Sequence, residues 1–432
     1  MTPLELWGGH ECTVNRVGDD WRDQTVASGH HHRIDDLDRF ADLGFTALRY
    51  PVLWERTETA PGVYDWTWAD ARLQRLRVLG VRPIIGLLHH GSGPAWTDLL
   101  DPAFATGLAR FAGAAAQRYD WVRDWTPVNE PLTTARFAAL YGHWHPHRSD
   151  EAGFLTALVH QLLAVRAAMG AIRQVRPDAR LIQTEDFGRT WGLGACEAQA
   201  DYENRRRLLT WDLLTGRGAG GADLEAAFEA AGLADAVNDL SRLPCPPDLI
   251  GLNHYVTSDR VLDPDVSAYP ETLHGGNGRL AYADVEAVRV AETRDCGWTH
   301  ALQGLWRRYG IPLAVTECHL GAGVADQRRW LAECWNAAQR AREAGIPVEA
   351  VTVWALLGSH DWDSLVTRWE GRYETGVFDV SGGEPRKTPL ADLVRRLAGG
   401  GGSATEGDGW WRTADRLIYP PARLSPMFEV RH

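Results

Sequence analysis

The chain has 432 residues, 44% of them hydrophobic and 24% charged, which is an ordinary composition for a globular protein. Its net charge is −12 and it contains no long run of basic residues, so nucleic acid is not an expected partner. The six cysteines lie far apart without a CxxC pair, so we expect no zinc site and a reducing, cytoplasmic location in a bacterium. No signal peptide is visible, and no stretch of about 20 apolar residues predicts a membrane span.

Short apolar runs alternate along the chain with amphipathic stretches. Eight runs have the length and composition of strands that are covered on both faces. They are 4–9, 45–53, 82–88, 124–129, 180–184, 248–253, 312–316 and 349–356. Helical patterns separate them, at 35–43, 70–79, 102–119, 154–175 and 327–344. This alternation predicts an α/β fold, a single (β/α)₈ TIM barrel. An open doubly wound sheet is the alternative, but the GxGxxG signature of its ligand site is missing.

Two long segments interrupt the alternation. Residues 185–247 follow the fifth strand, and residues 256–294, which read as an irregular loop, follow the sixth. Since loops after barrel strands lie on the face that carries active sites, we expect both to shape the rim of a pocket. The barrel domain is expected to span 1–398. Residues 399–432 are interpreted as a glycine-rich hinge and an apolar tail that packs back on the barrel.

Polar or aromatic residues lie on or shortly after every predicted strand. The carboxyl ends of parallel barrel strands meet at one rim, so these side chains are expected to lie together. In strand order they are His10 and Asn15, Arg49, His89 and His90, Asn129 and Glu130, Glu185 and Asp186, Asn253 and Tyr255, Glu317 and His319, and Trp354 with Asp361 and Trp362.

Glu130 and Glu317 carry the functional interpretation. Two carboxylates on different strands suit an acid and a nucleophile that face one glycosidic bond. A lone glutamate in such a place is more often a helix cap or a surface charge. His89 and His90 are not expected to share a metal ion, because neighbouring residues of a strand point to opposite faces. His30, with the two histidines that follow it, is expected to lie in a solvated loop.

Several motifs together resemble the family 1 glycoside hydrolases of the β-glucosidase type. That family belongs to a clan of barrels with catalytic glutamates on strands 4 and 7. The similarity runs from about Leu6 to Asp379. The motifs are Leu6-Trp7-Gly8-Gly9, Ala47-Leu48-Arg49-Tyr50-Pro51, Val128-Asn129-Glu130-Pro131, Asn253-His254-Tyr255, Thr316-Glu317 and Val353-Trp354-Ala355-Leu356-Leu357.

The resemblance implies a role for each site residue. Glu130 would be the general acid/base and Glu317 the nucleophile. Asn129 would hold the sugar 2-hydroxyl, and Arg49 and Tyr255 would hydrogen-bond Glu317. The remaining residues would line the sugar pocket, with Trp354 as its floor; they are Asn15, His89, His90, Asp361 and Trp362.

The chain also departs from the family pattern. The family usually has Gln where Asn15 stands, Glu where Asp361 stands and Trp where His90 stands. Its Asn-Gly after the nucleophile is Cys318-His319 here. These positions surround the sugar and not the reacting bond, so glucose is not implied as the substrate.

The sequence therefore predicts a retaining β-glycosidase that removes a terminal sugar from a small glycoside, without a metal or a cofactor. Its expected partner is the glycoside itself, and the sequence indicates no oligomeric state. One alternative is another activity of the clan, such as a glycanase with an open groove or a transglycosidase. The other is a non-catalytic carbohydrate-binding barrel, which the loss of either glutamate would have favoured.

Overall fold

A closed barrel of eight parallel strands forms the centre of the molecule. The computed structural model describes residues 3–290, 296–402, 406–414 and 416–419. We number the barrel strands in chain order, and each pairs with the next while β8 pairs with β1. They are β1 Glu5–Gly9, β2 Ala47–Pro51, β3 Arg82–Gly86, β4 Asp124–Thr126, β5 Arg180–Asp186, β6 Leu249–His254, β7 Leu313–Cys318 and β8 Val348–Val353. The predicted TIM barrel is confirmed.

Both faces of the strands are apolar because both are covered. A layer of side chains from seven strands fills the barrel interior; its members are Trp7, Ala47, Ile84, Ile182, Leu249, Ala314 and Ala350. The outward-facing residues join the main core under the helices, as Leu48, Ile85 and Val315 do. The interior is thus a packed core below the rim where the polar residues gather.

Helices cover the outside of the barrel. Their bounds are Asp36–Ala41, Thr67–Leu79, Phe104–Arg118, Glu151–Val175, Glu197–Arg206, Leu209–Leu214, Ala222–Ala230, Ala234–Arg242, Trp298–Tyr309, Val324–Glu343 and Leu390–Ala398. Helix Glu151–Val175 is long and apolar enough to cross a membrane, but 67% of its most apolar window is buried inside the fold. It packs against Phe104–Arg118, which is the position of a core helix.

The two key glutamates differ in their backbone setting. Strand β4 stops at Thr126, three residues before its predicted end, so Glu130 lies in the turn before helix Pro131–Ala135 with a left-handed φ of 47°. Strand β7 extends through Glu317 to Cys318, beyond the predicted end at residue 316. Glu317 is therefore held by the barrel ladder itself.

The expectation of an irregular loop over 256–294 was wrong for its described part. Strands Arg260–Asp263, Ala281–Glu286 and His274–Gly276 form a four-stranded sheet with Thr190–Gly192 from the loop after β5. Apolar residues of this sheet, such as Val261 and Val285, form a separate small core. The strands have three to six residues each and are separated by turn residues, which hid them in the sequence. Residues 291–294 lie outside the described part.

The described part of the C-terminal segment contacts the barrel helices and the loop after β6. Trp411 is buried in the main core and its indole N–H donates to Glu333 Oε2 at 2.8 Å. Glu406 accepts a hydrogen bond from Arg328 at 2.9 Å. Tyr419 packs on Tyr269. Residues 420–432, with the Pro-Pro pair of the predicted tail contact, lie outside the described residues.

The prediction of a solvated histidine loop fails for its first member. His30 has no exposed surface and lies between Asp36 Oδ2 at 2.9 Å and the Tyr50 hydroxyl at 2.8 Å. Burial, followed by the charges of Arg72 and Arg33, lowers the pKa of His30 to about 3. His30 is therefore a neutral core residue that ties the first loop to β2.

Candidate active site

Glu317 is held by two donors. Arg49 Nη1 donates to its Oε1 at 2.8 Å, and the Tyr255 hydroxyl donates to its Oε2. These are the two hydrogen bonds that the sequence led us to expect. Both partners of the ion pair are buried, and charge-assisted bonds of this kind favour an ionised carboxylate with a fixed direction.

Arg49 connects four strands of the barrel. Its Nη1 also donates to the Thr316 carbonyl at 2.7 Å, and its Nη2 donates to Asn129 Oδ1 at 2.7 Å. The guanidinium lies over the Trp354 ring, 4.9 Å from the ring centre. Trp354 in turn stacks on His89, with ring centres 5.5 Å apart. Trp354, the expected floor residue, thus lies beside Arg49, the partner of Glu317.

Glu130 is also buried, and Asn253 links it to Thr316, the residue before Glu317. The side-chain amide of Asn253 donates to Glu130 Oε1, and Asn253 also accepts a bond from Thr316 Oγ1 at 2.7 Å. His90 Nε2 lies 3.8 Å from Glu130 Oε2. Burial raises the pKa of Glu130 well above its usual range, and the negative charge of Glu317 adds to the rise. One carboxyl is therefore paired with a cation while the other favours its neutral form.

Glu185 supports the turn that carries Glu130. It is fully buried at the end of β5 and accepts bonds from the Leu132 and Thr133 N–H groups at 2.8 and 3.2 Å. The Thr133 and Thr210 hydroxyls donate to it at 2.9 and 2.8 Å. Burial raises the pKa of Glu185 to about 7 although these bonds lower it. The sequence placed Glu185 at the rim without indicating this supporting role.

His89 and His90 both face the site, so the expectation that they point to opposite faces was wrong. Strand β3 ends at Gly86, and His90 has a left-handed φ of 58° that turns its ring inward. The Asn129 Nδ2 atom lies 3.4 Å from His89 Nε2 and 3.5 Å from His90 Nε2. Burial, followed by the charge of Arg49, lowers the pKa of His90 to about 3. Two neutral imidazoles therefore border this side of the pocket.

Trp362 and Asn15 are two of the residues that the sequence analysis expected around the sugar. The Trp362 ring lies 5.6 Å from His90 and 6.2 Å from Trp144, centre to centre. The Trp362 indole N–H and both polar atoms of the Asn15 amide are buried without a hydrogen-bond partner in the described part of the chain. Each can therefore meet a sugar hydroxyl without breaking an existing bond.

Asp361 does not fit the sugar-binding role expected for it. Its Oδ2 accepts from the Gly371 N–H at 3.0 Å and its Oδ1 from the Arg372 N–H at 2.9 Å. Both carboxylate oxygens thus close the loop after β8 on itself.

Glu11 is a third carboxyl at the site that the sequence analysis missed. It is 5% exposed, accepts from the Thr13 N–H at 2.8 Å and has its Oε1 4.0 Å from His89 Nε2. Burial raises the pKa of Glu11 to about 7, and the charge of Glu317 contributes to the rise. The sequence did offer a signal for Glu11. This glutamate comes two residues after the apolar first strand, in the segment where the resemblance to the family begins.

The described residues contain no group of three or more His, Cys, Asp or Glu side chains that could hold a metal ion. The chemistry assembled here consists of carboxyl groups, one guanidinium, one phenol and neutral imidazoles. Such a set can exchange protons and form an ester with a sugar.

Comparison with known sequences agrees with this geometry. Residues 6–381 match the sequence model of Glycosyl hydrolase family 1. A 6-phospho-beta-glucosidase of Dickeya chrysanthemi is 24% identical over 350 residues, which are 74% of this chain and 71% of the relative. Beta-glucosidase A of Thermotoga maritima is 23% identical over 381 residues, which are 78% and 79% of the two chains.

Solved structures share the fold. The family 1 β-glucosidase of Thermotoga maritima superposes with a TM-score of 0.74 at 18% identity, covering 93% of this chain and 99% of that one. Its complex with deoxynojirimycin gives a TM-score of 0.73 at 18% identity and covers 92% and 98%.

Proposed function

The chain belongs to glycosyl hydrolase family 1, and on this premise we propose that it is a retaining β-glycosidase that releases a terminal sugar from a small glycoside. The observation that carries the proposal is the contrast between two carboxyl groups at one site. Glu317 is ion-paired with Arg49 at 2.8 Å, whereas burial and the charge of Glu317 raise the pKa of Glu130. A nucleophile must be anionic and an acid must carry its proton.

In the first step, Glu317 attacks the anomeric carbon while Glu130 gives its proton to the glycosidic oxygen. The bond to the leaving group breaks, and an ester joins the sugar to Glu317. The ester carries no negative charge. One of the causes that raise the pKa of Glu130 is then removed, so this carboxyl becomes able to accept a proton.

In the second step, Glu130 takes a proton from water as the oxygen of that water attacks the anomeric carbon. The ester bond breaks, Glu317 regains its charge, and the sugar leaves with the configuration it had in the substrate. Arg49 and Tyr255 keep Glu317 aimed throughout, and Asn129, fixed by Arg49, is positioned for the sugar 2-hydroxyl.

The identity of the terminal sugar is tested with unphosphorylated and with 6-phosphorylated β-glycosides, because the relatives' names contain both classes. Matched aryl β-glycosides of glucose, galactose, mannose, fucose and xylose are assayed beside aryl 6-phospho-β-glucosides. For the best substrate, proton NMR follows the first sugar anomer released. We expect the β-anomer to form first. An α-anomer first would overturn retention, and a folded protein that hydrolyses no β-glycoside would overturn the proposed activity.

A cytoplasmic location remains a prediction. Cys12, Cys196, Cys245, Cys318 and Cys334 are buried and form no disulfide bond within the described part of the chain, which supports a reducing compartment. Fractionation of the native host, with activity as the marker, tests it.

A further inference from the structure

Three arginines, two of them buried and one half-buried, lie in the loops that follow β4 and β5. Arg136 comes six residues after Glu130, at the start of the π-helical turn Arg136–Leu140. Arg206 and Arg207 end the helix that begins at Glu197, and they are 8% and 6% exposed. We call these three residues the arginine cluster. Charged side chains are rarely buried to this degree unless they are paired, so the cluster needs a physical explanation.

The cluster has too few carboxylates nearby. Arg207 Nη1 lies 3.6 Å from Asp186 Oδ2, and Arg206 Nη2 lies 3.9 Å from Glu203 Oε1. Both distances are longer than a hydrogen bond. Arg136 has no carboxylate within 4.0 Å among the described residues, and its Nη2 donates to the Tyr141 hydroxyl at 3.1 Å. Three cations thus face two loosely held anions.

The cluster also presents unused donors. The Nε of Arg136, the Nε of Arg206 and the Nη1 of Arg207 are buried without a hydrogen-bond partner in the part of the chain that the structure describes. Leaving a buried charged donor without an acceptor costs free energy. Burial lowers the pKa of Arg207. An oxyanion would supply the missing acceptors and stabilise the charged form of the guanidinium groups.

We take the side of Glu130 that faces the cluster to be the side of the leaving group. The residues expected around the sugar come from β1, β3 and β8, whereas the cluster lies in the loops after β4 and β5, and Asp186 is the last residue of β5. Asp186 connects the two, because it lies 3.6 Å from Arg207 and its charge, after burial and the charges of Glu317 and Glu185, also raises the pKa of Glu130. Tyr141, which is 40% exposed, provides an opening to solvent.

We infer that Arg136, Arg206 and Arg207 form a subsite for an anionic group, a carboxylate or a phosphate, carried by the leaving group of the glycoside. The inference rests on the proposed function, since a leaving group exists only if the protein cleaves glycosides. It narrows the natural substrate to glycosides whose aglycone is an acid. Such an arrangement would guide the acidic aglycone toward Glu130 before the bond breaks.

Kinetics test the inference with a pair of substrates that differ only in charge. The 4-carboxyphenyl and 4-carbamoylphenyl β-glycosides of the best sugar have phenol leaving groups of similar size. We expect kcat/KM to be higher for the carboxylate. Arg136→Gln and Arg207→Gln should each reduce this preference about tenfold or more, because each removes a charge-assisted bond.

The matched control is Arg205→Gln. Arg205 lies beside Arg206 on the same helix, but its side chain pairs with Asp223 at 2.7 Å on the surface. This variant should keep the preference of the wild-type protein. If the wild-type protein treats both substrates alike, or if the cluster variants slow both equally, the cluster has only a structural role.

A binding measurement works without turnover. Benzoate and phenyl phosphate, with neutral benzamide as the comparison, should raise the Tm of the wild-type protein and of Arg205→Gln, but not that of Arg136→Gln/Arg207→Gln. The more strongly stabilising probe identifies the anionic group. Equal shifts in all three proteins, or none, overturn the subsite. Anion binding that follows this pattern in a protein without glycosidase activity would instead show that the proposed function fails.

Discussion

Arg49 and Glu317 form a buried ion pair, 2.8 Å between Nη1 and Oε1, with side chains only 6% and 3% exposed. Taking two charges out of water costs roughly as much as their attraction returns, so this pair contributes little to stability. The ion pair instead fixes the direction in which the Glu317 carboxylate points. The same guanidinium binds the Thr316 carbonyl at 2.7 Å, so the carboxylate is fixed relative to its own strand. A carboxylate held this way loses little freedom on reaching a transition state.

Glu317→Ala should abolish turnover, because the carboxylate proposed to form the ester is removed. Azide should restore activity on an activated aryl glycoside by entering the space that the carboxylate leaves. The product should be a glycosyl azide of inverted configuration, identified by NMR. Glu384→Ala, at a glutamate that is 82% exposed, is the control and should behave as the wild-type protein. A folded, sugar-binding Glu317→Ala protein that azide does not rescue would contradict the nucleophile role.

Glu130→Ala should slow substrates according to their leaving groups. Poor leaving groups need the proton of Glu130, so their kcat/KM should fall by about 10²–10⁴, while activated nitrophenyl glycosides should be slowed much less. Burial and the charge of Glu317 raise the pKa of Glu130, so wild-type activity should fall on the alkaline side as this carboxyl loses its proton. The variant should lack that alkaline limb. Equal slowing of all substrates would remove Glu130 as the acid.

The barrel could be predicted from the sequence because its strands are covered on both faces. Runs such as 84–88 and 312–315 are apolar on both sides, and this pattern depends only on burial. The four-stranded sheet beyond the rim could not be predicted in the same way. Its strand Ala281–Glu286 is half solvated, short and flanked by turn residues, so no continuous apolar run marks it.

The candidate active site likewise has features that the sequence predicted and features that it did not. The order of the motifs along the chain identified Glu130, Glu317, Arg49 and Tyr255. The structure contains the hydrogen bonds from Arg49 and Tyr255 to Glu317 that the motifs implied. The direction of a side chain outside the motifs depends on local backbone geometry. His90 faces inward through a left-handed φ of 58°, and Asp361 turns its carboxylate to its own loop. Neither feature is visible in residue type or spacing.

Glu185→Gln should act on Glu130 from a distance. Its carboxylate faces only donors, among them the Leu132 N–H at 2.8 Å, so an amide NH₂ in its place should destabilise the fold by about 1–3 kcal/mol. The charge of Glu185 is also one of the causes, after burial and Glu317, that raise the pKa of Glu130. Without that charge the alkaline limb of the rate profile should move to lower pH. An unmoved limb in a folded variant would show that Glu185 has only a structural role.

Glu11→Gln should change how stability depends on pH. Burial raises the folded-state pKa of Glu11 from 4.5 to about 7, so the native protein binds this proton more tightly than the unfolded chain does. The wild-type protein should therefore lose roughly 3 kcal/mol of stability at this site as pH rises from 4.5 through 7. The variant cannot lose that proton and should show a flatter profile in denaturant unfolding at pH 5 and pH 8. Parallel profiles would contradict the buried, protonated state.

Asp361→Asn should weaken the binding of all sugars alike. The carboxylate oxygens accept from Gly371 at 3.0 Å and Arg372 at 2.9 Å, so an NH₂ group facing one of these N–H groups should loosen the loop after β8 at a cost of about 1–3 kcal/mol. Asn tolerates the left-handed φ of 56° at this position, so backbone strain is not added. Because Trp362 follows directly, KM should rise while the ratio of kcat/KM between two sugars stays constant.

The matched control for this loop is Asp363→Asn. Asp363 pairs with the exposed Arg372 side chain at 2.7 Å and is itself 37% exposed, so its loss should change stability by less than about 1 kcal/mol and leave KM unchanged. The comparison separates a loop effect from sugar recognition. If Asp361→Asn alters the ratio between sugars while Asp363→Asn does not, Asp361 contacts the glycone as the sequence first indicated. A constant ratio assigns the discrimination between sugars to other residues of the pocket, among which Asn15 has the polar atoms free to provide it.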